Sequence, residues 1–412
     1  MRYAEMSTLL SINNYYYLRG GAETIFLSHN ELIRGEGWNV VPFSMSRPDN
    51  LFTPWSGYFV EEIEFGEEYT LAEKIKRAVK SVYSLEARKN IRKLIVAERP
   101  DICHAHNIYH HISPSILGLL HDNAIPVVMT LHDLKLVCPA YRMLVNGRIC
   151  ESCKNGKIYN VVLKNCMKGS RSLSTLVMIE AILHKLLGSY SSCVSKFIVP
   201  SRFYLNKFVE WGWSPDKFVY IPNFINTRDY IPDYAAGDYF LYVGRLSFEK
   251  GVATLIKAAA DANVHLKIAG SGPEEMGLKK LAEASGAKID FLGYVSGEAL
   301  WDVVRSSMAV VLPSEWYENA PLSLLEAYAL GKPVIGARIG GIPELIREGE
   351  TGFVFTAGSV EELSGKLSHT ANMPGVELVE MGRIAREIAE SEYESSIYRD
   401  RILGLYKDIM RF

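Results

Sequence analysis

The sequence predicts an α/β chain of two doubly wound domains facing each other across a cleft. From Tyr239 onward, short apolar runs alternate regularly with helical patterns; the N-terminal half shows the same rhythm less cleanly; and turn formers cluster between the halves at Pro222, Pro232 and Gly237. Parallel neighbours need crossover connections, so such alternation implies parallel sheets covered by helices on both faces.

In the first half, a strand over 8–12 leads through Gly20-Gly21 into a helix over 22–34, bounded by Gly35 and Gly37. Further strands are expected over 38–44, 102–104, 126–131 and 196–199. In the second half, strands over 239–243, 264–269, 289–292, 308–312 and 333–336 alternate with helices over 252–262, 273–285, 298–306 and 321–330 and a last helix near 343–347. Val252, Leu255, Ile256 and Ala259 share one face of their helix, as a core-facing surface requires. Folds of this kind bind ligands beyond the carboxyl ends of their strands.

Composition sets the class. At roughly 150 residues per domain, 412 residues give two or three domains, and 48% hydrophobic with 22% charged residues is ordinary for a globular enzyme. No apolar run approaches the roughly 20 residues that span a bilayer. The start, 1–10, lacks the basic, apolar and small-residue sections of a signal peptide, so a cytoplasmic location is expected. Residues 1–225 carry 26 Lys and Arg against 20 Asp and Glu, and the remainder 19 against 27. The basic half is expected near something anionic, but the excess is too small for a nucleic-acid binder.

The most informative stretch is Glu318-Asn-Ala-Pro-Leu-Ser-Leu-Leu-Glu326. Pro321 suits a first helical turn and Gly331 a helix end. Free N–H groups at Leu322, Ser323 and Leu324 would seat a phosphate, with Glu318 and Glu326 on either side to accept hydrogen bonds from sugar hydroxyls. Gly244-Arg245-Leu-Ser-Phe-Glu-Lys250-Gly251 follows one strand and supplies two cations for a diphosphate. Gly270-Ser-Gly272-Pro273, Gly293-Tyr294-Val295 and Gly340-Gly341-Ile-Pro343-Glu344 end three more strands, and those ends converge on one crevice.

Together the Glu-x7-Glu spacing, the Gly-Arg…Lys-Gly loop, the Gly-Ser-Gly-Pro turn and the Gly-Gly-Ile-Pro-Glu turn resemble glycosyltransferase family 4, retaining enzymes with two Rossmann-like domains (GT-B). The resemblance implies that Arg245 and Lys250 bind a diphosphate, Glu318 meets the donor sugar, Glu326 the ribose, and Tyr294 and Val295 the base. It implies an acceptor-side domain over 1–225, a donor domain over 226–390 and a segment over 391–412 whose helix returns to the first domain. Gly20-Gly21-Ala-Glu23 resembles the family's first glycine loop, facing donor phosphate and acceptor. His132, ending the strand over 126–131, matches a histidine beside the reacting sugar, whereas His104 and His106 are equally placed as lining or packing residues. The implied catalytic set is His132, Glu318, Arg245 and Lys250; Gly20, Gly21, Gly244, Gly270 and Gly272 join the donor contacts.

The implied route is front-face attack, with a donor phosphate oxygen taking the acceptor proton. The protein would act by positioning and charge stabilisation. No metal or other cofactor is then expected for the chemistry, and no Asp-x-Asp triplet occurs. The expected donor is a UDP- or GDP-sugar.

Cys138, Cys150, Cys153 and Cys166 lie within one insert, about 138–170, and a Cys-x2-Cys flanked by two further cysteines suits a tetrahedral structural zinc. Free thiols and disulfides are the other open states; Cys103 and Cys193 read as core. Basic residues cluster over 73–93 and 154–168, the first with Ile75, Val79, Val82, Leu85, Ile91 and Leu94 at helical spacing. Such helices can rest on an anionic membrane or pack on their own domain. The function expected is hexosyl transfer to a glycan acceptor, a lipid-linked precursor of a surface polysaccharide on the inner membrane face. A small soluble acceptor, or a non-catalytic nucleotide-sugar-binding partner, are the alternatives.

Overall fold

The computed structural model describes residues 7–63 and 69–410. The expectation about the chain's start falls mainly on residues 1–6, outside that range, as do 411 and 412 of the predicted 391–412 segment.

The first sheet has six parallel strands, in the order Phe218–Tyr220, Lys196–Val199, Val127–Thr130, Ile102–Ala105, Thr8–Ile12, Asn39–Phe43. Side chains alternate between its faces with period two. Leu10, Ile12, Val41, Phe43, Cys103, Val127 and Met129 enter one core, while Leu9, Val40, Ile102, Val128 and Ile198 enter another. Both faces are covered, so the strands read as continuous apolar runs.

The second sheet is also six-stranded and parallel: Ile289–Gly293, Leu266–Ala269, Phe240–Val243, Ala309–Leu312, Val334–Ala337, Gly352–Phe355. In chain order this is third, second, first, fourth, fifth, sixth. Strand order therefore reverses between Phe240–Val243 and Ala309–Leu312, which pair only at Phe240↔Ala309 and Leu241↔Val310. The loops leaving that divergent pair flank the switch-point crevice of a doubly wound sheet. The strands Phe218–Tyr220 and Gly352–Phe355 were not anticipated; each is a short edge strand with little periodic signal.

The chain crosses between the domains twice, side by side. The Ile225 N–H donates to the Tyr393 carbonyl (2.9 Å), and the Ser395 N–H returns to the Ile225 carbonyl (3.0 Å). The Arg386 guanidinium gathers the carbonyls of Tyr230, Thr227 and Ala329 beside this seam. Helix Ser395–Met410 then packs on the first domain, its Tyr398, Ile402 and Tyr406 sharing a core with Leu9, Ile25, Ile33 and Ile102.

The basic stretch over 73–93 forms two helices. Thr70 and Glu73 make a reciprocal cap for Leu71–Val82, and Ser84 Oγ accepts from the Ala87 N–H (3.1 Å) to start Leu85–Glu98. Its apolar residues divide: Val82, Ile91 and Leu94 are buried, while Ile75, Val79 and Leu85 are exposed. Helix Arg171–Leu186 buries Ser174, Glu180 and His184 and shows Ile179, Ile182 and Leu186 to solvent. Glu180 is accommodated by the buried Lys135 ammonium at 2.7 Å, and His184 by the Val82 carbonyl at 2.8 Å.

Ile402→Ala should cost about 2–5 kcal/mol, the usual loss for truncating a fully buried aliphatic side chain. Calorimetry would read this as a lower unfolding midpoint; an unchanged midpoint would detach the helix from that core.

Candidate functional site

Local backbone geometry brings the acidic and basic groups together. Gly251 ends the Phe248–Lys250 turn at φ +67°, and a β-carbon there would collide with the Pro313 carbonyl. Only glycine lets the two loops pass so closely. The Glu315 N–H donates to the Glu249 carbonyl at 2.9 Å, fastening them. Gly340, at φ +59°, lies against the Glu318 backbone, where any β-carbon would strike it, and the Gly341 N–H donates to the Glu318 carbonyl (2.9 Å). The turn after one strand thus supports the loop after its neighbour.

Lys250 Nζ lies 2.6 Å from Glu318 Oε1, and Ser314 Oγ donates to the same oxygen at 2.7 Å. Burial opposes the charge on Glu318, but the Lys250 ammonium and these hydrogen bonds outweigh it and hold the carboxyl below its ordinary value. Arg245, on the same loop, is exposed. Helix Leu322–Ala329 begins immediately beyond, after Pro321. Leu324 corrects the expectation of three free N–H groups: its own donates to the Pro321 carbonyl at 3.2 Å. Leu322 and Ser323 keep theirs unpaired among the described residues. Gly21 faces this helix start from the other domain, a β-carbon there falling 3.6 Å from Leu322 Cδ1, with Gly20 beside it.

Glu326 lies inside the helix, half-buried, its carboxyl raised by burial and without a hydrogen-bond partner among the described residues. Tyr294 is 79% exposed and Val295 half-buried, beyond Gly293, whose carbonyl accepts from the Gly270 N–H at 2.7 Å. Gly270 and Gly272 have a packing reason of their own: β-carbons there would collide with the Gly244 and Leu246 carbonyls. They let the turn lie against the Arg245 loop.

In the first domain, His132 Nε2 is 2.9 Å from His106 Nδ1, the rings stacked at 5.1 Å. Burial holds His132 down to about 4 and keeps His106 well below its ordinary value, with His104 and His132 nearby adding to the effect. Both rings are therefore neutral near pH 7. His106 Nε2 is buried without a partner among the described residues, which makes His106 a stronger candidate than sequence alone indicated. His104 turns away, bonded to Tyr406 (2.5 Å) and Thr130 (2.7 Å). His110 is half-buried, with Nδ1 3.5 Å from Glu180. Asp133 is pushed up to about 6 by burial.

Glu344 closes the two domains together. Its carboxylate accepts from the Arg202 N–H (2.8 Å) and the Phe203 N–H, capping a helix of the other domain. Ser201 Oγ donates to Asn319 Oδ1 (2.8 Å), and Asn319 Nδ2 donates to the Leu131 carbonyl (3.0 Å), next to His132. The signal available was a Gly-Gly-Ile-Pro-Glu turn, but not the distant helix it caps.

The zinc expectation is not carried. Among the described residues no group of three or more His, Cys, Asp and Glu side chains is placed to hold a metal ion, and all six cysteines are free thiols. Cys138, Cys153 and Cys166 instead pack on the apolar Ala140, Val161 and Val177. Burial and then the neighbouring thiols of Cys138, Cys166 and Cys150 push Cys153 up to about 12.

What these features define is a two-domain α/β protein whose switch-point loops bring charged and hydrogen-bonding groups together. Residues 19–229 match the family described as Glycosyltransferase Family 4, and 231–387 match Glycosyl transferases group 1. The chain belongs to glycosyltransferase family 4. It is 32% identical over 177 residues to the alpha-D-kanosaminyltransferase of Streptomyces kanamyceticus, 41% of this chain and 45% of that one. It is 39% identical over 132 residues to the sulfoquinovosyl transferase SQD2 of Arabidopsis thaliana, 31% of this chain and 25% of that one. The chain thus spans less than half the length of these relatives. Sucrose-phosphate synthase from Thermosynechococcus elongatus superposes with TM-score 0.74 at 18% identity, covering 98% of this chain and 99% of that one. Anabaena Alr3699/HepE, solved with UDP and glucose, gives 0.68 at 16%, covering 98% and 100%. These likenesses show the GT-B fold.

Burial keeps His29 neutral down to about 3, and His110 and His132 down to about 4, all below the unfolded value of 6.5. Between about pH 6.5 and 4 the unfolded chain therefore binds more protons, and stability should fall as pH is lowered through that window. Thermal unfolding against pH tests this; a level midpoint from 6.5 to 4.5 would mean these rings titrate freely in the folded protein.

Proposed function

We propose that the protein is a retaining glycosyltransferase that moves a hexose-type sugar from a UDP- or GDP-sugar to a glycan acceptor. The observation that carries this reading is the 2.6 Å Lys250–Glu318 pair at the entrance to helix Leu322–Ala329. In this role Lys250, Arg245 and the Leu322 and Ser323 N–H groups offset the charge that grows on the departing nucleotide diphosphate. Glu318 accepts hydrogen bonds from the sugar hydroxyls and Glu326 from the ribose. With no carboxylate assigned as nucleophile, a donor phosphate oxygen takes the acceptor's proton while the new glycosidic bond forms on the same face. His132 and His106, neutral, donate or accept hydrogen bonds beside the sugar without adding charge.

The acceptor in this reading is lipid-linked, and the protein works at the inner membrane face. Support comes from two helices packed together, Leu71–Val82 and Arg171–Leu186. They expose Ile75, Val79, Ile179, Ile182 and Leu186, with Lys74 and Lys76 also exposed. Apolar side chains can enter a headgroup layer while lysines meet anionic lipid. No helix among the described residues is long and apolar enough to cross a membrane.

Glu318→Ala should abolish transfer while free nucleoside diphosphate still binds; unchanged transfer would remove Glu318 from the site. Lys250→Ala should weaken nucleoside diphosphate binding by about 1.5–3 kcal/mol, as for a lost charge-assisted hydrogen bond, and calorimetric titration reads it directly. Equal affinity would return Lys250 to the surface.

The protein should float with vesicles containing anionic phospholipid at low salt and less so at high salt. Ile75→Asp with Val79→Asp should abolish flotation. Absence of flotation at both salt concentrations would favour a soluble acceptor.

A further inference from the structure

The cysteine-rich insert reaches across the cleft and touches the chain neighbour of each member of the Lys250–Glu318 pair. Its hairpin, Leu144–Val145 with Arg148–Ile149, turns at Asn146-Gly147. The Phe248 ring lies so close on Gly147 (φ +73°) that a β-carbon there would overlap it. Arg142, entering the hairpin, is 4.0 Å from Glu249. Leaving the hairpin, Glu151 Oε1 accepts from Tyr317 Oη at 3.0 Å and from Lys207 Nζ at 2.8 Å. Phe248 and Glu249 precede Lys250; Tyr317 precedes Glu318.

We propose that this insert is a clamp, with Gly147 and Glu151 as positioning residues that set Lys250 and Glu318 from the opposite domain. Phe248 remains 59% exposed with the hairpin tip against one edge of its ring, so Gly147 touches it without enclosing it. Tyr317 is held between Glu151, the Lys207 ammonium and the Phe203 ring 4.8 Å away. Behind the hairpin a concavity of about 760 Å³, lined by Val145, Arg148, Leu163 and Lys164 among others, separates it from the rest of the insert. The hairpin is therefore supported at its two ends, and its docking on the donor-side loops fixes where it lies. The Glu318 loop is also held by Gly340 from its own domain and by Asn319, which bonds the Leu131 carbonyl across the cleft. What the clamp adds is coupling between closure of the domains and alignment of the pair.

This inference rests on the donor-site reading, and the test separates the two. In the full chain, Glu151→Ala, Phe248→Ala, Tyr317→Phe and the Glu151→Ala/Tyr317→Phe double variant are compared with wild type. Amide hydrogen exchange over 245–251 and 313–319 should quicken in the first two. Misalignment should lower kcat by about tenfold or more with a smaller change in donor KM, because the lost contacts matter most as charge develops. The double variant should be no worse than its worse single variant, since both remove one contact. Exchange and kcat equal to wild type would overturn the clamp, as would independent losses in the double variant. So would a loss of activity that only tracks the amount of folded protein. If wild type neither binds a nucleoside diphosphate nor transfers sugar, the donor reading fails, and the exchange measurement still decides the clamp.

Discussion

The structure turns on a mostly buried ion pair, Lys250 with Glu318, held where two adjacent loops leave a sheet whose strand order reverses. Burying charges is costly unless each is paired and hydrogen-bonded. Here the carboxylate has the ammonium at 2.6 Å and a serine hydroxyl at 2.7 Å, so the acid stays ionised in spite of its burial. The same pair gives the site its latent chemistry. A lysine neutralised by one carboxylate can exchange that partner for a diphosphate, leaving the carboxylate to accept from hydroxyls. In the proposed role the pair serves both groups of the donor, and in their absence each charge compensates the other inside the protein.

That pair exists because of topology. Phe240–Val243 and Ala309–Leu312 are neighbours in the sheet although more than sixty residues separate them, and the helices that follow them enter different cores on its two faces. The glycines at 251 and 340 then close the gap, one by passing under the Pro313 carbonyl and the other by resting on Glu318. Neither glycine need touch a ligand to be indispensable to the site.

Much of this was legible in the sequence because it is local. Strands and helices of the second domain follow from alternation, and the Lys250 and Glu318 loops were recognisable from glycine, charge and helix-start chemistry within a dozen residues each. Expectations became less secure wherever a residue's partner is distant. Glu344 looks like part of a glycine turn but caps the helix starting at Arg202. The insert's cysteines have zinc-like spacing yet pack on Ala140, Val161 and Val177. Helix Arg171–Leu186 turns its polar side inward because Lys135 and the Val82 carbonyl are waiting for Glu180 and His184. No periodicity encodes such pairings.

The same reasoning explains why the first domain's side of the cleft resolves less readily from sequence. His132 is one end of a column of imidazoles: it shares a hydrogen bond with His106, which stacks at 4.5 Å on His104. His104 then meets Tyr406 of the returning helix, and Tyr406 and Tyr398 both meet His29. A buried column of positive rings would repel itself, so burial and mutual proximity keep these imidazoles neutral. Each ring then has one N–H and one bare nitrogen, and a bond at one end constrains tautomers along the hydrogen-bonded part of the column. The carboxy-terminal helix therefore does more than cover a core: its Tyr398 and Tyr406 hydroxyls satisfy His29 and His104, while His106 and His132 meet that network only through ring stacking.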